Sequence, residues 1–440
     1  MDGQPCSCHD VFGFFLAATS SSSCVRRARS DSHVGFTPSS LSFIGMSTIV
    51  RAYTLLHCFA ISFAFTTPKC CERRSIELAA EASSRREFLD QASLASAGVI
   101  VSGLSVPSQA EEMVGSIDLP ALGLGAWAWG DSVFWGYDKK EDDELHRVFD
   151  VAVGKLPKTL FDTAELYGLG RSETLLGKFS EDCADKVQIA TKFAALPWRT
   201  KAADVVKACE ASVQRLGGRP IDLYQIHFPN SWSNAEYWDG LAEAYEKGLV
   251  KAVGVSNYGS DALRACHESL AARGIPLATN QIQLSLLYKW PLQNGLLETC
   301  KELNVKVLAY SPLALGFLTG KYSADREPSG PRKKLFTQLS ATPDYQDLLE
   351  VMRGIANSHE GGTLSQVAIN WARAKNTVPI PGARTVKQVE QNFGALNWNL
   401  SPEEERILDE ASDKVTSFLA PDASPFPKED INTGLKLFDS

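Results

Sequence analysis

From residue 120 onward the chain repeats one unit: a short apolar strand, a loop holding polar or aromatic residues, then an amphipathic helix. That alternation is the sequence form of a β/α protein. Strands are expected to end near Trp127, Phe161, Lys192, Ile226, Val255, Gln281, Tyr310 and Ile380. Eight such units predict a (β/α)8 TIM barrel. The helices between them carry apolar stripes at i, i+3, i+4, i+7: Leu145, Val148, Phe149 and Ala152 in one, Trp238, Leu241, Ala242 and Tyr245 in another. Val206, Cys209, Val213 and Leu216 form a third stripe that meets a Gly217-Gly218 stop. The one long interval, Tyr310 to Ile380, contains Glu327-Pro328-Ser329-Gly330-Pro331, which reads as an exposed loop before the seventh helix and over the active face.

Composition separates this folded part from what precedes it. All nine Trp lie at or after Trp127, whereas six of the ten Cys fall within the first 110 residues. Residues 111–440 carry 35 basic and 44 acidic side chains, a net charge of −9. That balance argues against a polybasic nucleic-acid binder. The four remaining Cys are widely spaced and suggest no disulfide framework. Cys6-Ser7-Cys8-His9 lacks a second ligand pair at zinc spacing, so no metal site is expected.

In a barrel, residues at the C-terminal ends of strands converge on one pocket. Here they are Asp162 and Tyr167 after the second strand, Lys192 after the third and His227 after the fourth. Each alone has an ordinary structural role: helix cap, loop aromatic, surface charge and core histidine. Together they form a chemical device. A phenol with a pKa near ~10 donates a proton poorly until a neighbouring ammonium stabilises its phenolate. Lys192 supplies that charge, Asp162 holds Lys192, Tyr167 acts as general acid and His227 orients a carbonyl oxygen. Side chains cannot supply the hydride that would complete the reaction, so a nicotinamide coenzyme is required.

Competing motifs fail on spacing. Gly123-Leu124-Gly125 is not followed by a glycine in G-x-G-x-x-G register, and Gly254 to Gly259 has no G-x-S-x-G spacing. His267-Glu268 lacks the second histidine of a zinc protease. A hydrolase built on Asp162, His227 and Ser256 would need a geometry that the barrel order does not supply.

Phe161-Asp162-Thr163-Ala164-Glu165-Leu166-Tyr167-Gly168, followed by Arg171-Ser172-Glu173, resembles the active-site segment of the aldo-keto reductases. Ala190-Thr191-Lys192, Gln225-Ile226-His227, Gly254-Val255-Ser256-Asn257 and Tyr310-Ser311-Pro312-Leu313 resemble its later motifs, in the right order, across about residues 120 to 400. The resemblance implies NADPH-dependent reduction of a small carbonyl compound, with Asp162, Tyr167, Lys192 and His227 as the catalytic set. It further implies that Ser256, Asn257 and Gln281 hold the nicotinamide carboxamide and that Tyr310 stacks beneath the nicotinamide. Ser311, Leu313, Leu315, Gly316 and Lys321 fall on the pyrophosphate side. Gly382, Ala383, Arg384, Gln388, Gln391 and Asn392 fall at the adenosine end, with Arg384 placed for a 2′-phosphate. A guanidinium beside Gly-Ala at a helix start suits a phosphate on physical grounds as well, and favours NADPH over NADH.

The segments around Trp127-Ala128-Trp129-Gly130, Ala190 to Arg199 and Glu246 to Tyr258 are similar to plant and algal plastid members, a group that includes pyridoxal reductase. Trp127, Trp129, Phe193, Trp198, Phe228 and Trp232 are candidate walls for a flat or apolar carbonyl substrate. A regulatory, coenzyme-binding subunit of the channel β type shares this fold, but the complete catalytic set favours turnover. Two departures stand out. Met113 to Pro120 is short for the hairpin that closes the barrel bottom in the family, and the tail after Leu419 is proline-bearing.

The first 110 residues read as a targeting leader. Residues 1–50 contain eleven Ser and the cluster Arg26, Arg27 and Arg29. Residues 53–65 are an apolar, signal-like run after Met46 and Arg51, leaving Met1 and Met46 as alternative starts. Residues 84–110 resemble a twin-arginine export signal with a small-x-small site at Ser108-Gln109-Ala110. The apolar stretch there is too short for a membrane span. The stacked signals predict a plastid location, stroma or thylakoid lumen. The expected organisation is leader 1–110, barrel 111–420 and tail 421–440.

Overall fold

The computed structural model describes residues 112–415, apart from 115, 116, 231, 324 and 331. The leader signals and the C-terminal tail lie outside the described residues.

Strands β1 (Glu112–Val114) and β2 (Ile117–Leu119) pair antiparallel. The hairpin is therefore present despite the short segment available, because three residues per strand suffice to place Ile117 and Leu119 beneath the barrel. Both side chains are buried among Leu160, Ala190, Leu223 and Leu308.

The barrel strands are β3 (Gly123–Gly125), β4 (Thr159–Asp162), β5 (Val187–Phe193), β6 (Leu223–Ile226), β7 (Val253–Ser256), β8 (Leu277–Gln283), β9 (Lys306–Tyr310) and β10 (Val378–Ile380). Each pairs in parallel with the next, in chain order. The seam between β3 and β10 closes through a Gly125–Gly382 bridge and a 3.0 Å hydrogen bond from the Gly125 N–H to the Pro381 carbonyl. A Cβ on Gly125 would sit 3.0 Å from the Ile380 carbonyl oxygen, so glycine is what lets the strands close. The sheet is a (β/α)8 barrel, as the repeat predicts.

Side chains alternate across each strand. Leu160, Ala190, Leu223 and Leu308 form an apolar interior floor. Residues two places further along the same strands, Asp162, Lys192, Gln225 and Tyr310, share that inward face and stand above the floor. The strand period thus converts an apolar plug into a polar upper layer at the C-terminal end.

Helices cover the outside, and their buried faces follow the expected stripes. Helix Asp142–Val153 buries Leu145, Val148, Phe149 and Ala152. Helix Ala202–Arg215 buries Val206, Cys209 and Val213, and stops at Gly217 and Gly218, whose φ values of 89° and 80° suit glycine. In the long interval after β9 the expected loop is present, with Glu327, Ser329 and Gly330 exposed just before a helix. The interval holds helices Arg332–Ser340, Pro343–Ser358 and Leu364–Ala374, with a short 3-10 element at Ala314–Thr319. No helix among the described residues is long and apolar enough to cross a membrane.

Candidate active site

A cavity of about 1050 Å³ opens at the C-terminal ends of the strands. That is at the top of the roughly 300–1,000 Å³ range of ligand sites. It runs from the mouth of the barrel, where Asp162, Tyr167 and His227 line it, to the start of helix Val386–Gly394.

Lys192 lies beneath Tyr167 with its side chain fully buried. Its Nζ donates to Asp162 Oδ2 at 2.6 Å and to the Thr163 carbonyl at 2.8 Å, and stands 5.1 Å from the Tyr167 ring centroid. Burial pulls the Lys192 ammonium below its ordinary pKa, while the charge and hydrogen bond of Asp162 push it back up. Gln281 Nε2 donates to the other carboxylate oxygen, Asp162 Oδ1, at 2.7 Å. His227 faces Tyr167 edge-on, with ring centroids 5.8 Å apart. Asp162, Lys192 and His227, from the ends of the consecutive strands β4, β5 and β6, are therefore gathered around one phenol, with Gln281 of β8 bonded to Asp162.

Tyr167 is held in place by a close backbone approach. Gly168 has φ +56°, and a Cβ there would lie 2.4 Å from the Gly130 carbonyl oxygen. This contact lays the loop after β3 against the loop after β4. Trp127 then stacks on Tyr167 at 6.1 Å between centroids, and Phe134 stacks on Trp127 at 5.0 Å. Asp131, itself buried, fixes this wall: Oδ2 accepts from the Trp127 indole N–H, and Oδ1 accepts from the Val133 and Phe134 backbone N–H groups.

Beside Tyr310, the amides form a connected set. Tyr310 Oη donates to Asn257 Oδ1 at 2.9 Å, Asn257 Nδ2 donates to the His227 carbonyl at 3.0 Å, and Ser256 Oγ donates to the Gln281 carbonyl at 2.8 Å. Further out, Ser311, Leu313, Leu315, Gly316 and Lys321 line the cavity, followed by Gly382, Ala383, Arg384, Gln388, Gln391 and Asn392. All fifteen residues assigned to coenzyme by resemblance face this one cavity.

The aromatic assignments divide. Trp127 and Phe228 line the cavity. Trp129 does not: it is fully buried and its indole N–H donates to the Ala383 carbonyl at 2.8 Å, bracing the barrel seam. Phe193 does not either, because it follows the inward-facing Lys192 on β5 and so points outward, against Tyr237 at 5.2 Å. Trp198 and Trp232 are 60% and 69% exposed and are not among the lining residues. Conversely Phe134, Trp135, Arg326 and Arg332 line the cavity although the sequence motifs do not single them out. The guanidinium of Arg332 lies 4.6 Å from the Trp135 ring centroid. The Phe-Trp pair just after a strand end is a readable signal; the arginines flank an irregular loop and carry none.

Charge marks the ligand class. Lys321, Arg326, Arg332, Arg384 and Lys387 line the cavity against the carboxylates Glu141, Glu144 and Asp162, in a protein whose net charge is −8. A locally positive cleft in an acidic protein attracts an anionic ligand.

Comparison with known proteins agrees with this geometry. The model of the aldo/keto reductase family matches residues 121–413. The chain belongs to the aldo/keto reductase family. It is 44% identical over 317 residues to chloroplastic pyridoxal reductase of Arabidopsis thaliana, covering 68% of this chain and 85% of that protein. Among solved structures, a glycerol dehydrogenase from Gluconobacter oxydans superposes with a TM-score of 0.59 at 27% identity, covering 69% of this chain and 95% of that one. An aldo/keto reductase from Klebsiella pneumoniae, solved with NADP and acetate, gives a TM-score of 0.53 at 25% identity, covering 66% and 91%. This aldo/keto reductase is accordingly an oxidoreductase of the carbonyl-reducing class.

Proposed function

We propose that the protein reduces an aromatic or otherwise flat aldehyde, of the pyridoxal kind, to its alcohol with NADPH, and that Tyr167 is the proton donor. The observation that carries this reading is the approach of the buried Lys192 ammonium to the Tyr167 ring, 5.1 Å from Nζ to centroid.

Two of the three ammonium hydrogens are committed to Asp162 and Thr163, which fixes the ammonium 5.1 Å from the centroid of the Tyr167 ring. A fixed positive charge there stabilises phenolate and lowers the cost of releasing the proton. Asp162 keeps the ammonium charged against the desolvation that opposes it. His227, at the other edge of Tyr167, orients the substrate oxygen toward the phenol. Trp127, Phe134 and Phe228 supply a flat apolar wall that excludes water from the reacting carbon.

The cavity's residues fit NADPH. Its positive lining suits phosphates, Tyr310 offers a ring for stacking, and Ser256, Asn257 and Gln281 offer amide and hydroxyl groups for a carboxamide. Arg384, at the start of helix Val386–Gly394, suits a 2′-phosphate. When bound, the coenzyme supplies the hydride that no side chain can. The pyridoxal-like substrate is supported by the 44% identity to a pyridoxal reductase and by the aromatic wall. A plastid location is supported by that relative's chloroplastic description and by the composition of the leader.

The test is NADPH consumption by the full chain against pyridoxal and a panel of aromatic and aliphatic aldehydes. Turnover ranked with flat aromatic aldehydes above short aliphatic ones supports the reading. NADPH binding without turnover on any carbonyl would replace it with a regulatory role.

A further inference from the structure

Arg384 is already held by carboxylate. Its Nη2 donates to Glu141 Oε1 at 2.6 Å and its Nε to Glu141 Oε2 at 3.2 Å, a bidentate pair. A second carboxylate stands at the same place: Glu144 Oε1 accepts from the Val386 backbone N–H at 3.3 Å, at the start of helix Val386–Gly394. Both glutamates line the coenzyme cavity. The two groups best suited to an anion there, a guanidinium and a helix N-terminus, are thus each matched with an acid from one short segment after β3.

We propose that Glu141 is a specificity-determining residue: its carboxylate competes with the coenzyme 2′-phosphate for Arg384, and so limits both NADPH affinity and preference over NADH. The proposal rests on the reading that Arg384 receives the 2′-phosphate.

The alternative role for Glu141, orienting Arg384 for its ligand, is less well supported because other groups already do that. Arg384 Nη1 donates to the Trp135 carbonyl at 2.7 Å, and the Arg384 backbone N–H donates to Gln388 Oε1 at 2.7 Å. The guanidinium therefore keeps its place without Glu141. What Glu141 adds is a negative charge beside the spot where a phosphate monoester brings roughly −1.5 to −2 more. The pair is about one-third exposed, at 28% and 31%, so the carboxylate has water to turn to when it yields the guanidinium. NADH lacks the 2′-phosphate and leaves the Glu141–Arg384 pair intact, so the effect falls on one coenzyme only.

The experiment measures dissociation constants of the full chain for NADPH and NADH by quenching of tryptophan fluorescence, for wild type, Glu141→Gln, Glu141→Ala and Arg384→Ala. Gln is isosteric and removes only the charge. Glu141→Gln is expected to tighten NADPH by roughly fivefold, the size of one partly exposed charge interaction. NADH is expected to bind as before, and Glu141→Ala should move NADPH in the same direction. Arg384→Ala is expected to weaken NADPH selectively. If Arg384→Ala weakens both coenzymes equally, the 2′-phosphate reading fails and the proposal with it. If Arg384→Ala is selective but both Glu141 variants leave NADPH affinity unchanged or weaker, Glu141 is only a positioning residue and the proposal alone is overturned.

Discussion

Lys192 Nζ lies 2.6 Å from Asp162 Oδ2, and the two side chains are 0% and 4% exposed. A buried ion pair adds little net stability against an apolar equivalent, but breaking one side of it is costly. Its presence at the bottom of the cavity is therefore better explained by chemistry than by stability.

This makes a definite prediction for variants. Asp162→Asn leaves an uncompensated ammonium in the barrel and should cost about 3–5 kcal/mol of unfolding free energy. The double variant Asp162→Asn with Lys192→Met removes both charges and should recover most of that loss. Urea denaturation of the two proteins checks the difference, and a double variant no more stable than the single would contradict it.

The pH dependence follows from the depressed Lys192 pKa. Between its folded value and the ordinary value near ~10.4, the unfolded chain binds more protons than the folded one, so stability contributed at this site rises with pH. Relative to Lys192→Met, wild-type protein should become more stable as pH increases through that window. The stability difference measured across the alkaline range checks the sign.

Gly168 sets the contact between two loops. Gly168→Ala adds a Cβ 2.4 Å from the Gly130 carbonyl oxygen at a residue with φ +56°. Separation of the loops would move Trp127 away from Tyr167. The expected result is a loss of about 1–3 kcal/mol in stability, with turnover falling more than NADPH affinity, as read by paired denaturation and steady-state kinetics.

Burial pushes the Cys209 and Cys300 thiols up to about 12 and Cys266 higher still. Thiolate is the reactive form, so these three should resist alkylation in the native state. Cys183 is half-buried and is the first of the four described cysteines expected to label. Peptide mapping after iodoacetamide treatment gives the order directly.

Much of this site is legible in the amino-acid sequence. The four polar residues at strand ends follow from strand period and barrel topology, because Asp162 and Lys192 each lie two places beyond a floor residue on the same face. The same period rule places Phe193 on the opposite face from Lys192, so its position in the outer core is legible too, and its assignment to the substrate wall overlooks that rule. Trp129 is not legible in this way, since it lies in a turn where no period applies and its burial depends on Ala383, 254 residues away in the chain. Helices Arg332–Ser340 and Pro343–Ser358 are hidden for a related reason. They follow an irregular loop, and the first of them reads Arg-Lys-Lys-Leu-Phe-Thr-Gln-Leu-Ser with only Phe336, Leu339 and Arg332 buried. The Glu141–Arg384 pair joins residues more than two hundred positions apart and forms only when the barrel closes.

The most direct test of the account is Tyr167→Phe in the full chain, with NADPH binding and NADPH-dependent aldehyde reduction measured on the same preparation. The account predicts unchanged coenzyme affinity and a loss of about 10²–10⁴-fold in turnover, the usual contribution of a general acid. Turnover retained at near wild-type rate would contradict Tyr167 as the proton donor.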